Sequence, residues 1–528
     1  MKRQWLPLIG FCAAIAGPIF LSSTAQGASE APKTGGMLSI ALNSDVRSLE
    51  PGVNRDANTD TVVYHMFEGL VGYRRDLSVG PTLAESWRIS DDGKTYTFKL
   101  RRGIHFQDGS VMKASDVKWS WDRLNSHKDW ACHRLFDGSA GLKVVDVAVP
   151  DDDTVVYKLN EPNATFLAQL ANIQCGIYVE SPHSVDKDGK WKTPIGTGPF
   201  RLKEWKHGES LTLERFKGYT PSLAPTSGLA GKRTAYVDQI QFRVIPDADA
   251  ALAALQTGAV DIVPEVDPMR VTQLRKQGVN VVTAPGLGWT ALLLQTKDPL
   301  LSNPTIRLAL AHAIDINQIA AARTNGLAKG NPSGVADASQ FFDPAFDQWP
   351  AYDPAKAQAL LKQAGYHGQP VIIQTNKRYP GMYDNAILVQ AMLSAAGVNA
   401  QLQVLDWATQ LNNYLSGKFQ IQSFGYSPRF DPSLMYATFI GDKSKSAWAQ
   451  WDDPKAVKLL AESSSTTDSA KRKAVFLQMH QLMEKDVPII GLYYDPTVEA
   501  IGPHVHGYQP WAASRPIGWG AWKDDAQG

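Results

Sequence analysis

Residues 418–432 read KFQIQSFGYSPRFDP and join a strand-like segment to a short loop. Residues 418–424 alternate polar and apolar side chains, which predicts a β-strand. The loop after it contains an aromatic residue, a cation and an acid, namely Tyr426, Arg429 and Asp431. Open α/β sheets bind ligands just beyond the carboxyl ends of their strands, but a Ser-Pro pair also nucleates an ordinary surface turn. The segment is therefore either a ligand-binding loop or a turn.

The surrounding residues 285–486 alternate strand and helix patterns. Strands are predicted at residues 289–295, 371–375 and 400–405, and helices begin after Asn303-Pro304 and Asp353-Pro354. Repeated strand–helix units of this size predict an α/β lobe. The last stretch, residues 487–522, contains strand and loop patterns and is predicted to return to the first half of the chain.

The first half of the chain is richer in β-structure. Residues 37–42 predict a first strand, and residues 94–100 alternate so that Tyr96, Phe98 and Leu100 share one face. Two further strands, at residues 144–149 and 154–159, flank an Asp-rich turn. Helices are predicted at residues 60–70 and after a cap at Ser115 or Asp116. This block predicts a β-rich subdomain.

Composition excludes several classes of protein. A chain of 528 residues suggests about three units at roughly 150 residues each. With 20% charged and 44% hydrophobic residues, the mature chain is expected to be a soluble globular protein. The formal net charge is +1 and there is no basic stripe, so we expect no nucleic-acid partner.

The N-terminus resembles an export signal. Lys2 and Arg3 precede an apolar run over residues 5–21, and small residues follow as far as Ala28. This order predicts a cleaved secretory signal peptide over residues 1–27, and hence a periplasmic protein. A membrane anchor is the alternative, although a run of about 17 residues with two prolines spans a bilayer poorly.

The mature chain retains two cysteines, Cys132 and Cys175. Two cysteines in an exported protein suggest one disulfide. Two separate buried thiols are the alternative.

The sequence contains no recognisable catalytic motif. It has neither a G-x-S-x-G elbow nor an H-E-x-x-H helix, and it has too few cysteines for a structural zinc site. His504 and His506 have the spacing of two ligands on one face of a strand, but an exposed, neutral pair is the other interpretation. We therefore expect no enzyme activity, no cofactor and no metal. An exported hydrolase with an unrecognised site is the alternative from the enzyme class.

Several motifs together resemble the family 5 extracellular solute-binding proteins, the dipeptide, oligopeptide, glutathione, nickel and opine receptors of ABC importers. The matching segments are residues 67–70, 81–87, 92–101, 103–109, 114–117, 196–200, 253–262 and 307–315. The resemblance implies an α/β, two-lobed periplasmic-binding-protein fold (type II, cluster C) with an extra β-rich subdomain at about residues 62–180. Lobe I would contain residues 28–284 plus 487–528, and lobe II residues 285–486. It also implies a monomer that delivers a small ligand to ABC permease subunits.

The resemblance makes the 424–432 segment a candidate ligand loop. The family form reads roughly Gly-Trp-x-x-Asp-x-x-Asp-Pro, in which the first Asp binds a peptide's amine. Here Gly425, Tyr426, Asp431 and Pro432 match, but the loop is one residue shorter and Pro428 or Arg429 replaces that Asp.

A cation at this position favours a carboxylate or a phosphate over an ammonium group. The expected ligand is therefore a small organic solute that is peptide-like, opine-like or anionic. A di- or oligopeptide or haem receptor with chaperone-like activity is the alternative on the same fold. Arg429 could instead pair internally with Asp431 or another residue of the lobe. The residues expected to bind the ligand are Arg429, Tyr426, Asp431, Trp407, Trp289, Asp45 and Arg47.

Overall fold

The computed structural model describes residue 1 and residues 31–139 and 141–524. The predicted signal peptide, apart from residue 1, lies outside the described residues. The strands are β1 (Met37–Leu42), β2 (Val71–Tyr73), β3 (Val79–Pro81), β4 (Ala84–Ile89), β5 (Thr95–Leu100), β6 (Val144–Asp151), β7 (Thr154–Leu159), β8 (Phe200–Lys206), β9 (Ser210–Arg215), β10 (Gln239–Val244), β11 (Ile262–Val263), β12 (Asn280–Leu294), β13 (Val371–Thr375), β14 (Ala400–Val404), β15 (Ile421–Tyr426), β16 (Ile489–Ile501), β17 (Val505–His506) and β18 (Trp522–Lys523).

The helices alternate with strands mainly in the second half. They are α1 (Ala57–Met66), α2 (Ala114–Ser126), α3 (Phe166–Leu170), α4 (Ala248–Gln256), α5 (Val271–Lys276), α6 (Pro304–Ala313), α7 (Ile316–Thr324), α8 (Pro354–Gln363), α9 (Pro380–Ala395), α10 (Trp407–Ser416), α11 (Pro432–Tyr436), α12 (Pro454–Ser465) and α13 (Ser469–Asp486). Short 3-10 helices cover Ala131–Leu135, Pro182–Ser184, Pro268–Arg270 and Pro344–Asp347.

Two helix starts follow the predicted cap chemistry. The side chains of Asn303 and Asp353 accept hydrogen bonds from the first turns of α6 and α8, each of which begins with proline. Helix α10 is capped by Asp406 and ends at Gly417, whose φ of 68° suits glycine. The sequence therefore specifies the helices that alternate with strands in the second half.

One large sheet organises the molecule. Its ten strands run in the order β14-β13-β15-β12-β16-β11-β1-β10-β9-β8. Strands β12 and β16 are long and antiparallel, and their pairing spans the sheet's centre. We call β14, β13 and β15 the C-terminal half-sheet, and β11, β1, β10, β9 and β8 the N-terminal half-sheet. The chain thus returns to its first half through β16, as predicted.

The β-rich block forms a separate sheet. Strands β4, β5, β7 and β6 pair antiparallel in that order. Tyr96, Phe98 and Leu100 are buried on one face, as the alternation of β5 predicts. Cys132 and Cys175 are joined by a disulfide with an S–S distance of 2.00 Å, so the alternative of two separate thiols is wrong.

The structure corrects several predicted boundaries. Helix α1 begins at Ala57 because Asp56 caps it, rather than at residue 60. Asp116 is the third residue of α2 and accepts a hydrogen bond from the Lys113 main chain, so neither Ser115 nor Asp116 is the cap residue. Strand β12 begins at Asn280, because the predicted segment is extended by pairing with β16.

The predicted loop is also shorter than expected. Gly425 and Tyr426 belong to β15, because they pair with Thr290 and Trp289 of β12. The connection to α11 is therefore residues 427–431, which we call the 427–431 loop.

Every helix within residues 31–139 and 141–524 is too short or too polar to cross a membrane.

Candidate ligand-binding site

The carboxyl edge of the C-terminal half-sheet is rich in aromatic side chains. The loops that follow β13, β14 and β15 all leave the sheet at this edge, because these three strands run parallel. Trp407, half-buried at the start of α10, lies with its ring centroid 5.0 Å from that of Tyr379 and 5.8 Å from that of Phe424. Tyr379 is 41% exposed. Trp407 therefore belongs to an aromatic wall with an accessible side.

Two other predicted aromatic residues lie deeper. Trp289 has no exposed surface, and its indole N–H donates to the carbonyl of Asn331 at 3.2 Å. Its ring stacks between those of Tyr426 and Tyr494, with centroid distances of 6.1 and 6.0 Å. The Tyr426 hydroxyl donates to the side chain of Gln450. Trp289 and Tyr426 therefore form the floor under the edge rather than its surface.

Arg429 lies in the 427–431 loop and is half-buried. Its guanidinium donates to the carbonyls of Ser427 and Pro428, and no described acidic side chain forms an ion pair with it. Burial lowers the pKa of Arg429, while the nearby Tyr414 and Tyr426 oppose this shift. The group remains a cation, and its remaining N–H donors can bind an anion.

Asp431 has a different position. Its carboxylate pairs with Arg472 through two hydrogen bonds of 2.7 and 3.0 Å, and both side chains are 6% exposed. It also caps α11 by accepting from the Ser433 main chain. The internal partner considered for Arg429 is thus occupied by Arg472. Asp431 anchors the 427–431 loop instead of lying free.

The predicted residues of the first half lie after β1. Asp45 accepts hydrogen bonds from the indole of Trp205 at 3.1 Å and from the main chain of Gly208 at 2.9 Å. Burial raises the pKa of Asp45, but these hydrogen bonds outweigh it and leave the pKa lowered. Arg47 is exposed, and its main-chain N–H donates to Thr59. Asp45 therefore ties the loop after β1 to the β8–β9 hairpin.

A cavity of about 270 Å³ lies at the carboxyl ends of β1 and β10. Asn43, Asn58, Glu265 and Arg515 contribute polar groups to its lining. Asn43 donates to Glu265 at 3.1 Å, and Nε of Arg515 is buried without a hydrogen-bond partner among the described residues. Sequence reasoning missed these residues, because they come from three distant regions of the chain, around residues 43–58, 265 and 515.

The 427–431 loop contacts residues outside the second-half sheet strands, namely Tyr73 of β2 and Trp511. The ring of Phe430 stacks on that of Tyr73 with centroids 4.5 Å apart, and the ring of Trp511 lies 6.5 Å away. The loop that carries Arg429 therefore contacts the first half of the chain directly.

Asp495 is a further polar residue that sequence reasoning missed. It lies in β16 opposite Gly288, next to the irregular pairing of β12 with β16. A charged residue within the apolar run of residues 489–501 was the available signal. His504 and His506, by contrast, each contact one carboxylate oxygen of Asp524, at 2.8 and 2.9 Å.

Comparisons with known proteins agree with this architecture. The sequence model described as "Bacterial extracellular solute-binding proteins, family 5 Middle" matches residues 78–448. The glutathione-binding protein GsiB of Salmonella choleraesuis (strain SC-B67) is 26% identical over 524 residues, which cover 96% of each chain. The dipeptide-binding protein of Escherichia coli (strain K12) is 26% identical over 87% of this chain and 88% of its own.

A solved structure shows the same fold. The periplasmic binding protein DppA of Helicobacter pylori, in complex with the peptide STSA, superimposes with a TM-score of 0.71 at 26% identity. The match covers 93% of this chain and 99% of that one.

Proposed function

Because the chain belongs to the bacterial extracellular solute-binding proteins of family 5, we propose that it binds a small organic solute with an anionic group between its two lobes. The lobes in this proposal are residues 28–284 plus 487–528 and residues 285–486. The protein works as a monomer in the periplasm and delivers the solute to the permease subunits of an ABC importer. No bond of the solute is broken.

Arg429 carries this proposal. It is a half-buried cation whose described partners are main-chain carbonyls, in the loop that follows β15. Trp407 and Tyr379 supply an accessible aromatic surface at the same edge of the sheet. Aromatic walls with a few charged groups are typical of small-molecule sites.

The contact between Phe430 and Tyr73 supports a role for the 427–431 loop in bringing the two lobes together around the ligand. A ligand that touches both Arg429 and the first half of the chain would favour the closed arrangement over the open one, because its contacts differ between the two. The cavity lined by Asn43 and Arg515 contains polar groups of the first lobe in this proposal.

Calorimetric titration of an Arg429→Ala variant tests the proposal. The titrant is the compound that mass spectrometry identifies in the purified protein, or a positive compound from a thermal-shift panel of organic acids, opines and peptides. Loss of a charged hydrogen bond costs about 1.5–3 kcal/mol, so we expect the affinity to fall by roughly 10- to 150-fold.

Arg88→Ala is the matched control, because Arg88 is an exposed arginine on β4 in the separate sheet. We expect this variant to bind as the parent does. Unchanged affinity in Arg429→Ala would refute the role of Arg429.

A further inference from the structure

Asp495 is the exposed residue of an otherwise buried strand. In β16, the residues before it and those from Thr497 onward are buried, and Pro496 is intermediate. The strand lies at the centre of the large sheet, between the two half-sheets. An exposed charged side chain stands out at this position, because every other residue of β16 except Pro496 is buried.

Gly288 lies beside Asp495 and carries no side chain. Gly288 is the residue paired with Asp495 in β12. A methyl group at Gly288 would lie 3.4 Å from Oδ2 of Asp495 and 3.8 Å from the carbonyl oxygen of Tyr426. Both atoms accept hydrogen bonds, and a carbonyl oxygen can accept two. Two acceptors thus lie within 4 Å of the position that a side chain at Gly288 would occupy.

The carboxylate of Asp495 has no cation of its own. Thr290 donates to Oδ2 at 3.4 Å, and no described basic side chain forms an ion pair with Asp495. The cation that influences its charge, Arg323, pairs with Asp384 at 2.9 Å. Although one face is exposed, the surrounding protein raises the pKa of Asp495 to about 6, because burial penalises the charge. The group is still ionised at neutral pH, so a cation placed beside it would gain a full ion pair.

We propose that Asp495, the carbonyl of Tyr426 and the space over Gly288 form a subsite for an ammonium group of the ligand. The inference rests on the proposed function and narrows the class of solute that the protein binds. An ammonium group carries several N–H donors, which suits a site composed of acceptors, whereas an anion would be repelled. Together with Arg429, the subsite selects a zwitterionic solute, with an acidic group at one end and an amine at the other.

Two substitutions test the subsite without removing bulk from it. Asp495→Asn keeps the shape and removes the charge. Gly288→Ala fills the space over the two oxygens, and its methyl group makes only ordinary contacts at 3.4 and 3.8 Å. Asp146→Asn, at an exposed position on β6, is the control for the charge. Gly502→Ala is the control for the added methyl group, which would lie 3.5 Å from its nearest neighbour, the carbonyl oxygen of Asp261.

The probes are glutathione, alanyl-alanine and the free amino acids, each beside its N-acetyl form, in a thermal-shift screen followed by calorimetry of the positive compounds. We expect binding of one or more free amines, with the N-acetyl partner and both subsite variants weaker by about 10- to 100-fold. The two controls should match the parent protein.

The other outcomes overturn distinct statements. If acetylated and free forms bind equally, or if Asp495→Asn and Gly288→Ala bind like the parent, the ammonium subsite is wrong while the proposed function stands. If neither these probes nor the organic acids bind and no small molecule is retained by the purified protein, the proposed function fails and this inference fails with it.

Discussion

Replacing Arg472 by methionine removes the partner of a buried carboxylate. In the parent protein, Arg472 makes two hydrogen bonds to Asp431, one to the carbonyl of Ser463 and one to the hydroxyl of Ser433. Its guanidinium also lies 5.0 Å from the ring centroid of Phe341. Both charged side chains are 6% exposed, so water cannot replace the lost contacts. Breaking a buried pair in this way costs about 3–5 kcal/mol.

Urea unfolding followed by tryptophan fluorescence measures this loss. Lys471→Met is the matched control, because Lys471 is exposed on the same helix, and its effect should stay within about 0.5 kcal/mol. The double variant Asp431→Asn, Arg472→Met should be more stable than Arg472→Met alone, because no unpaired charge remains buried. A loss below about 1 kcal/mol for Arg472→Met, which is the range of an exposed pair, would show that this pair does not carry the cost of a buried charge.

Three further predictions concern stability. Replacing Cys132 and Cys175 by serine removes a disulfide between residues that are 43 positions apart, and should lower the free energy of unfolding by about 4 kcal/mol. An unchanged free energy of unfolding in calorimetry would contradict this prediction. Gly198→Ala should destabilise by about 1–3 kcal/mol, because its Cβ would lie 2.5 Å from the carbonyl oxygen of His65. Gly381→Ala is the control: its methyl group meets nothing within 4 Å and it lies in helix α9, so it should cause no loss of stability. The folded-state pKa of Asp495, about 6, lies above the ordinary value of 3.8, so its contribution to stability is present below about pH 3.8 and is lost as the pH rises through 6. Between pH 4 and pH 8, the free energy of unfolding of Asp495→Asn should therefore rise by about 1 kcal/mol relative to that of the parent protein. This magnitude includes a reduction for solvent screening, because Asp495 is partly exposed. Unfolding free energies of the two proteins that change in parallel with pH would contradict the prediction.

Local chemistry made much of the fold predictable. Strand β1 agrees with its predicted bounds, and the caps at Asn303 and Asp353 start α6 and α8. These features depend on side chains that are close in sequence. The predicted family and two-lobed α/β fold are likewise confirmed by the comparisons.

Long-range pairing explains what the sequence did not reveal. Gly425 and Tyr426 look like loop residues, but β12 pairs with them and extends β15. Asp431 resembles a ligand group until Arg472, 41 residues away, is placed beside it. The convergence of Asp495, Gly288 and Tyr426 likewise requires three strands to be aligned, which no local pattern reports.

A crystal structure of the protein with its bound solute would show whether Arg429 binds the ligand. We expect density at the carboxyl edge of the C-terminal half-sheet, with an acidic group of the solute within hydrogen-bonding distance of the Arg429 guanidinium. Density elsewhere, for example in the pocket of about 600 Å³ lined by Gln374, Lys418 and Lys443, with Arg429 still bonded to the carbonyls of Ser427 and Pro428, would contradict it.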